Sequence, residues 1–208
     1  GDGVKIMTCQ IFHPTNGRRD ASSSDVAAAF KYAADNGAVI CQNSWGYTSG
    51  TYTESGWIAA DRAMKEAIDY FIQYAGMSPD GETQTGPMAG GLVIFAAGND
   101  SSGRPSYPAA YAPCISVAAI SCTYDAAWYT NYGSTIDINA PGGGGWSSAP
   151  LMSLDKGYNL STIPTDLENG QVFQYMTSSG IMENEKIDYV SSTPGYGYMQ
   201  GTSMACPH

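Results

Sequence analysis

The chain has 208 residues, with 9 Lys and Arg against 19 Asp and Glu, a formal charge of −10, and 13% charged residues, about half the usual ~25%. That balance disfavours a phosphate-gripping protein, because nucleic-acid affinity comes mainly from Lys and Arg displacing counterions. Hydrophobic residues make up 43% and aromatics 12%, including 15 Tyr, which is enough apolar side chain for a core of ordinary domain size and argues against intrinsic disorder.

No apolar run approaches the ~18 residues that span a bilayer, and the start GDGVKIMTCQ has no basic stretch followed by an apolar one. The chain therefore reads as neither a membrane-spanning protein nor a signal-bearing precursor. Its five cysteines, Cys9, Cys41, Cys114, Cys122 and Cys206, show no CxxC spacing, so neither a zinc ribbon nor a thioredoxin-type motif is supported. Cys9 and Cys41 each sit in an apolar run and read as buried thiols. Cys114 and Cys122 flank ISVAAIS, which at ~3.3 Å per residue separates them by roughly 25 Å, too far for a bridge.

In chain order, residues 4–12, VKIMTCQIF, are apolar and β-rich and run into His13-Pro14-Thr15-Asn16-Gly17, which predicts a buried strand entering a turn. A helix follows. Ser22, Ser23 and Ser24 offer caps, Val26, Phe30, Ala33 and Ala34 form an apolar stripe, and Asn36-Gly37 is a stop signal. Ala38 to Cys41 predict a short strand leading into Gln42-Asn43-Ser44-Trp45-Gly46.

Trp57, Ala60, Met64, Ala67, Ile68, Phe71 and Ala75 recur at helical spacing and predict one amphipathic helix ending at Gly76, with Asp61, Arg62, Lys65, Glu66 and Asp69 on a solvated face. Leu92 to Ala97, Ile115 to Ser121 and Thr135 to Asn139 predict three further strands. Alternation of strand and helix argues for an α/β domain with a mainly parallel sheet. From 143 to 197 the periodicity fades into Gly, Ser, Thr, Tyr, Asn and Pro, an irregular insertion of loops or β excursions within a single domain over 1–208.

In open parallel sheets, ligands bind beyond the carboxyl ends of the strands. That singles out two loops, Asn43-Ser44-Trp45-Gly46 and Gly98-Asn99-Asp100, although Gly and Asn could simply turn the chain there. In the C-terminal GTSMACPH, Ser203 lies among small residues where its hydroxyl could stand exposed at a helix start, as a nucleophile or as a plain cap. The α/β-hydrolase elbow GxSxG is disfavoured, because Ala205 holds the last position.

GTSMACPH resembles the serine-nucleophile motif of the subtilisin-like serine proteases, the subtilases (peptidase S8). NSWG at 43–46, AAGND at 96–100, Tyr107-Pro108-Ala109, ISVAAI and DINAPG at 137–142 resemble further segments of that family in the same chain order. The resemblance implies a subtilisin-like α/β fold of three layers, a mainly parallel sheet flanked by helices, here incomplete at both ends. It implies Ser203 as acyl-forming nucleophile and Asn99 as oxyanion donor together with the Ser203 backbone N–H. Ser44, Trp45 and Gly46 would form one side of the primary substrate pocket, and Ala96, Ala97 and Gly98 its other wall and floor.

A serine needs a base, and the family supplies an Asp and a His upstream. Neither the Asp-Ser/Thr-Gly nor the His-Gly-Thr-His-like motif occurs in the sequence, whose two histidines are His13 and His208. The resemblance implies that VKIMTCQIF is the strand beyond the catalytic His. The strand bearing the Asp would then lie in the sheet between it and Ala38 to Cys41.

The expectation is a secreted, periplasmic or cell-surface serine endopeptidase acting on peptide or protein substrates, inactive as this chain alone and completed by an N-terminal segment or chain supplying Asp and His. The alternative is a non-catalytic subtilase-like module that binds extended peptides. Cys206 acting with His208 is weaker, since adjacency along the chain is not a triad. The chemistry requires no cofactor. Structural Ca²⁺ is a family trait, and Asp100 and Asp137 lie in candidate loops, but no EF-hand spacing occurs and metal sites stay unassigned.

Overall fold

A computed structural model of the chain describes residues 3–15, 18–144, 159–162, 172–176, 182–186, 188–189 and 196–208. The elements run β1 (His13–Thr15), β2 (Arg18–Asp20), α1 (Ser23–Asp35), β3 (Ile40–Asn43), α2 (Glu54–Ala60), α3 (Arg62–Tyr74), β4 (Leu92–Ala96), β5 (Ile115–Ile120) and β6 (Ile138–Pro141). Five short strands follow, β7 (Asn159–Thr162), β8 (Val172–Met176), β9 (Met182–Lys186), β10 (Asp188–Tyr189) and β11 (Tyr196–Met199), and then α4 (Thr202–Ala205).

The central sheet has the order β3-β4-β5-β6, and β5 and β6 are parallel in the register Val117↔Ile138 to Ile120↔Pro141. Ser116 to Ala119 are four successive buried residues on β5, the mark of a strand covered on both faces, as parallel sheets are. Smaller antiparallel pairings join β1 to β2, β8 to β9, and β10-β11-β7. Of the expected insertion at 143–197, these β7 to β11 strands and residues 143–144 are described, and the rest lies outside the described residues.

Two compact units divide the chain. One comprises 1–43, 52–94 and 111–115, the other 44–51, 95–110 and 116–208. In the first, Ser22 caps α1 by accepting the Asp25 N–H at 3.1 Å, and Gly37, at φ 89°, ends it. The buried face of α1 is Val26, Phe30, Ala33 and Ala34, and that of α3 is Met64, Ala67, Ile68 and Phe71. The two helices meet through Phe30 and Phe71, whose rings stand edge to face at 6.2 Å. Fully burying a residue such as Phe71 contributes about 1.5–3 kcal/mol.

Five expectations are corrected here. Residues 4–12 form no strand, and Val4 and Ile6 are 75% and 88% exposed. A strand persists only where its N–H and C=O groups find partners. β3 stands first in the sheet, and none of the described residues supplies the strand expected between it and 4–12. Cys9, on the same run, is exposed and not buried, because the apolar stretch around it has no face to pack on.

The single long helix is two, broken at Asp61, whose φ of −126° and ψ of 44° are not helical. Asp61 is buried, not solvated, because its carboxylate accepts a hydrogen bond from Ser23 Oγ at the start of α1. A buried carboxylate with a specific donor outweighs helical continuity at that point. Asp69 is likewise only partly solvated, held by Lys65 at 2.5 Å and by the Tyr111 hydroxyl at 2.8 Å. Burial and the Asp69 bond together push the Tyr111 phenol above its ordinary value.

Among the described residues no helix is long and apolar enough to cross a membrane.

Candidate active site

The second unit gathers three segments around one cleft of about 190 Å³, whose lining includes Trp45, Gly46, Ala96, Gly98, Asn99 and Ser203. Residues 44–51 leave β3 as an irregular segment tied to 95–110. The Tyr47 N–H donates to the Tyr107 carbonyl at 2.8 Å, the Gly50 N–H to the Pro105 carbonyl at 2.7 Å, and Ser106 Oγ to the Tyr47 carbonyl at 2.6 Å. The Trp45 indole stands edge-on to the buried Phe95 ring at 5.1 Å and so forms a firm apolar side to the cleft.

The opposite side begins where β4 ends. Ala96 and Ala97 are 5% and 2% exposed, and the Ala97 N–H donates to the Val117 carbonyl on β5 at 3.0 Å. Gly98 turns the chain with φ 102°, and a Cβ there would overlap the Asn131 side-chain amide. Glycine is required by conformation and by space alike.

Ser203 lies on the single turn of α4, which Gly201 enters at φ 143°. Asn99 and α4 are joined by Thr202, which is 1% exposed. The Thr202 N–H and Oγ–H both donate to Asn99 Oδ1, at 2.9 and 2.8 Å, while Thr202 Oγ1 accepts the Gly98 N–H at 3.1 Å. With Oδ1 so engaged, the orientation of the Asn99 amide is set and its NH₂ faces away from Thr202. Asn99 Nδ2 and the Ser203 backbone nitrogen lie 3.4 and 3.7 Å from the point a Cβ on Gly201 would occupy. Both nitrogens, with Met204 Sδ also at 3.7 Å, thus lie around Gly201.

Among the described residues the Ser203 hydroxyl donates to the Ser44 carbonyl at 3.2 Å, and Ser44 Oγ returns a bond to the Ser203 carbonyl at 2.7 Å. His208 faces elsewhere, its Nδ1 at 3.1 Å from the Pro141 carbonyl.

Of the residues singled out by sequence, Ala97 sits behind the cleft as a backbone anchor and Ser44 engages Ser203 directly, while the other six line the opening. Asp100, part of the second loop singled out, lines it too, as do Tyr47, Thr48, Ser106 and Thr202, which were not singled out. The motif GTSMA contains Thr202, whose importance rests on a side-chain bond that spacing alone does not disclose.

Among the described residues no three His, Cys, Asp or Glu side chains converge as a metal site. The two carboxylates weighed for Ca²⁺ each accept a backbone N–H. Asp100 Oδ2 accepts the Ser49 N–H at 3.0 Å, and Asp137 Oδ2 accepts the Ser116 N–H at 2.8 Å. Asp100 Oδ2 also accepts from Asn131 Nδ2 at 3.3 Å.

Comparison with known proteins places this geometry in context. Residues 2–208 match the sequence model of the Subtilase family. The chain is 29% identical over 214 residues to fervidolysin of Fervidobacterium pennivorans, covering 99% of this chain and 24% of that protein. It is 31% identical over 128 residues to thermitase of Thermoactinomyces vulgaris, covering 62% of this chain and 37% of that protein. A crystal structure of a lanthipeptide protease superposes with a TM-score of 0.59 at 20% identity, covering 90% of this chain and 49% of the other. That likeness shows a shared fold, a three-layer α/β arrangement with a mainly parallel sheet flanked by helices. The chain spans between about a quarter and a half of the length of these relatives.

Proposed function

Because the chain belongs to the subtilase family, we propose that it is the central and C-terminal part of a serine endopeptidase domain that cleaves peptide bonds through an acyl-enzyme on Ser203. The observation that carries this reading is the pairing of Asn99 with Ser203 in one cleft, the Asn99 Oδ1 held by the Thr202 N–H and Oγ–H so that its NH₂ faces away from Thr202. A non-catalytic peptide-binding module has no need of such a pair.

In the proposed reaction a base removes the Ser203 Oγ proton as Oγ attacks the scissile carbonyl carbon. The carbonyl oxygen becomes an oxyanion that accepts hydrogen bonds from Asn99 and from the Ser203 N–H. Collapse expels the amine, protonated by the same base, and water then hydrolyses the ester. Ser44 to Gly46 pair with the extended substrate through their backbone, and the Trp45 side of the cleft with Ala96 and Gly98 receives one substrate side chain.

The base and its carboxylate partner come from a segment outside the motifs of this sequence. The chain alone is expected to be inactive, since neither the Asp nor the His motif of the family occurs in its sequence. A secreted or cell-surface setting is the family's.

Intact mass after incubation with a fluorophosphonate tests the reading, first on this chain and then on a longer product that adds the Asp- and His-bearing segment. The longer product should acquire one adduct, absent in Ser203→Ala, and should lose hydrolysis of peptide substrates in that variant by at least ~10⁴-fold. Full hydrolysis in Ser203→Ala would sink the assignment. Peptide binding without any adduct would turn it to the peptide-binding module.

A further inference from the structure

We propose that Asn131 is a positioning residue for the oxyanion donor, acting through the backbone of the loop that carries Asn99; this rests on the reading of Asn99 given above. Asn131 is 2% exposed and belongs to the segment 129–131, outside every motif that suggested a function. Its side chain has two donor and two acceptor positions, and all four address the loop 97–102.

Oδ1 accepts the Asp100 N–H at 3.0 Å and the Ser102 N–H at 3.2 Å. Nδ2 donates to the Ala97 carbonyl at 2.8 Å and to Asp100 Oδ2 at 3.3 Å. The Asn131 backbone N–H adds a bond to the Gly98 carbonyl at 3.0 Å. These contacts bracket Asn99 on both sides, so the residue that must point at the developing charge is the one the clamp leaves free to do so.

The amide cannot be turned around, because its NH₂ would then face the N–H groups of Asp100 and Ser102. The clamp is itself anchored. Thr130 Oγ1 accepts the Ala119 N–H on β5 at 2.8 Å. The Tyr129 hydroxyl lies 2.7 and 2.8 Å from the Gly142 and Gly143 carbonyls and accepts the Gly201 N–H at 3.0 Å. Three consecutive buried side chains therefore reach the Asn99 loop (Asn131), β5 (Thr130) and the residue that enters the Ser203 turn (Tyr129). Oxyanion stabilisation needs donors placed to within a few tenths of an ångström, and a displacement of about 1 Å can cost on the order of 10²-fold.

The test is a double-mutant cycle on peptide hydrolysis by the longer, active product. Asn131→Ala should lower kcat by at least ~10-fold, yet change it by less than about two-fold when Asn99 is already Ala, because two residues acting as one unit are not additive. Asn131→Asp, nearly isosteric, should lose kcat by setting a second carboxylate beside Asp100, and adding Asp100→Asn should restore part of it by returning an amide–carboxylate pair.

Three results overturn the inference: Asn131→Ala and Asn131→Asp both folded with unchanged kcat, losses that multiply with that of Asn99→Ala, or no recovery in the Asn131→Asp, Asp100→Asn pair. Should Asn131→Ala fail to fold, the recovery arm decides. If the unsubstituted product does not hydrolyse peptide, or Asn99→Ala leaves kcat unchanged, the function itself is refuted and the positioning role falls with it.

Discussion

The helix pair α1 and α3 and the cleft built from 44–51, 95–102 and 201–203 are held by opposite means. The helices meet through Val26, Phe30, Ile68 and Phe71, side chains whose contribution is non-directional and grows with buried area. The cleft is held by directional bonds between side chains and backbone, with Thr202, Ser106 and Asn131 each reaching a loop distant in sequence. The first kind tolerates a small shift and loses stability gradually. The second fixes where an N–H points, and its loss is expected to show in turnover before it shows in folding.

The largest expected effect breaks the helical side of that contrast. Phe71→Ala removes a fully buried ring against Phe30 and should destabilise by ~3–5 kcal/mol. Urea unfolding measures it, and turnover per folded molecule should stay near the reference. A large change in turnover at unchanged stability would invert the comparison.

Next in size is Thr202→Val, which keeps the shape and deletes the hydroxyl that joins Gly98 N–H to Asn99 Oδ1. Leaving the Gly98 donor without its acceptor should cost ~1–3 kcal/mol, and kcat in the active product should fall while KM moves less. Equal change in both would mean that Thr202 supports binding and not the orientation of Asn99.

The smallest effect lies on the exposed rim of α1. The Lys31 ammonium beside Asp35, at 2.6 Å, holds that carboxyl below its ordinary 3.8, and the Tyr70 hydroxyl adds to this. A carboxyl depressed in the folded state contributes stability above its unfolded value and loses it as the pH falls through the folded one. Asp35→Asn should therefore lower stability slightly at pH 7 and remove part of the acid sensitivity below about pH 4, the difference shrinking with salt. Paired unfolding curves at low and high ionic strength check it.

What could be read from sequence divides along the same line. The stripe Val26, Phe30, Ala33, Ala34 and the runs at β4 and β5 announce themselves because burial imposes a period on the chain. Residues 4–12 have the composition of a strand and form none, since pairing depends on a partner that composition does not encode. At Asp61, where the helix breaks, the carboxylate is bonded by Ser23, 38 residues away.

In the cleft, the loops of Asn99 and Trp45 stand out as strand ends and Ser203 by its small neighbours, while their roles come from motif resemblance, not from any period. Asn131 and Tyr129, buried polar residues inside AWYTNYG, carry no local signal. Their partners lie 29 or more residues off for Asn131's side chain and as far as 72 for Tyr129.

Gly98 shows how such a site constrains its own history. Its φ of 102° disfavours any side chain, and the Asn131 amide occupies the space a Cβ would need. Shrinking residue 131 would open room but leave the backbone conformation unchanged, and relaxing the turn would leave the collision. Each step toward a larger residue at 98 is harmful before the next could make it tolerable. The position is closed to gradual substitution, and variation in the cleft is left to other lining residues such as Trp45.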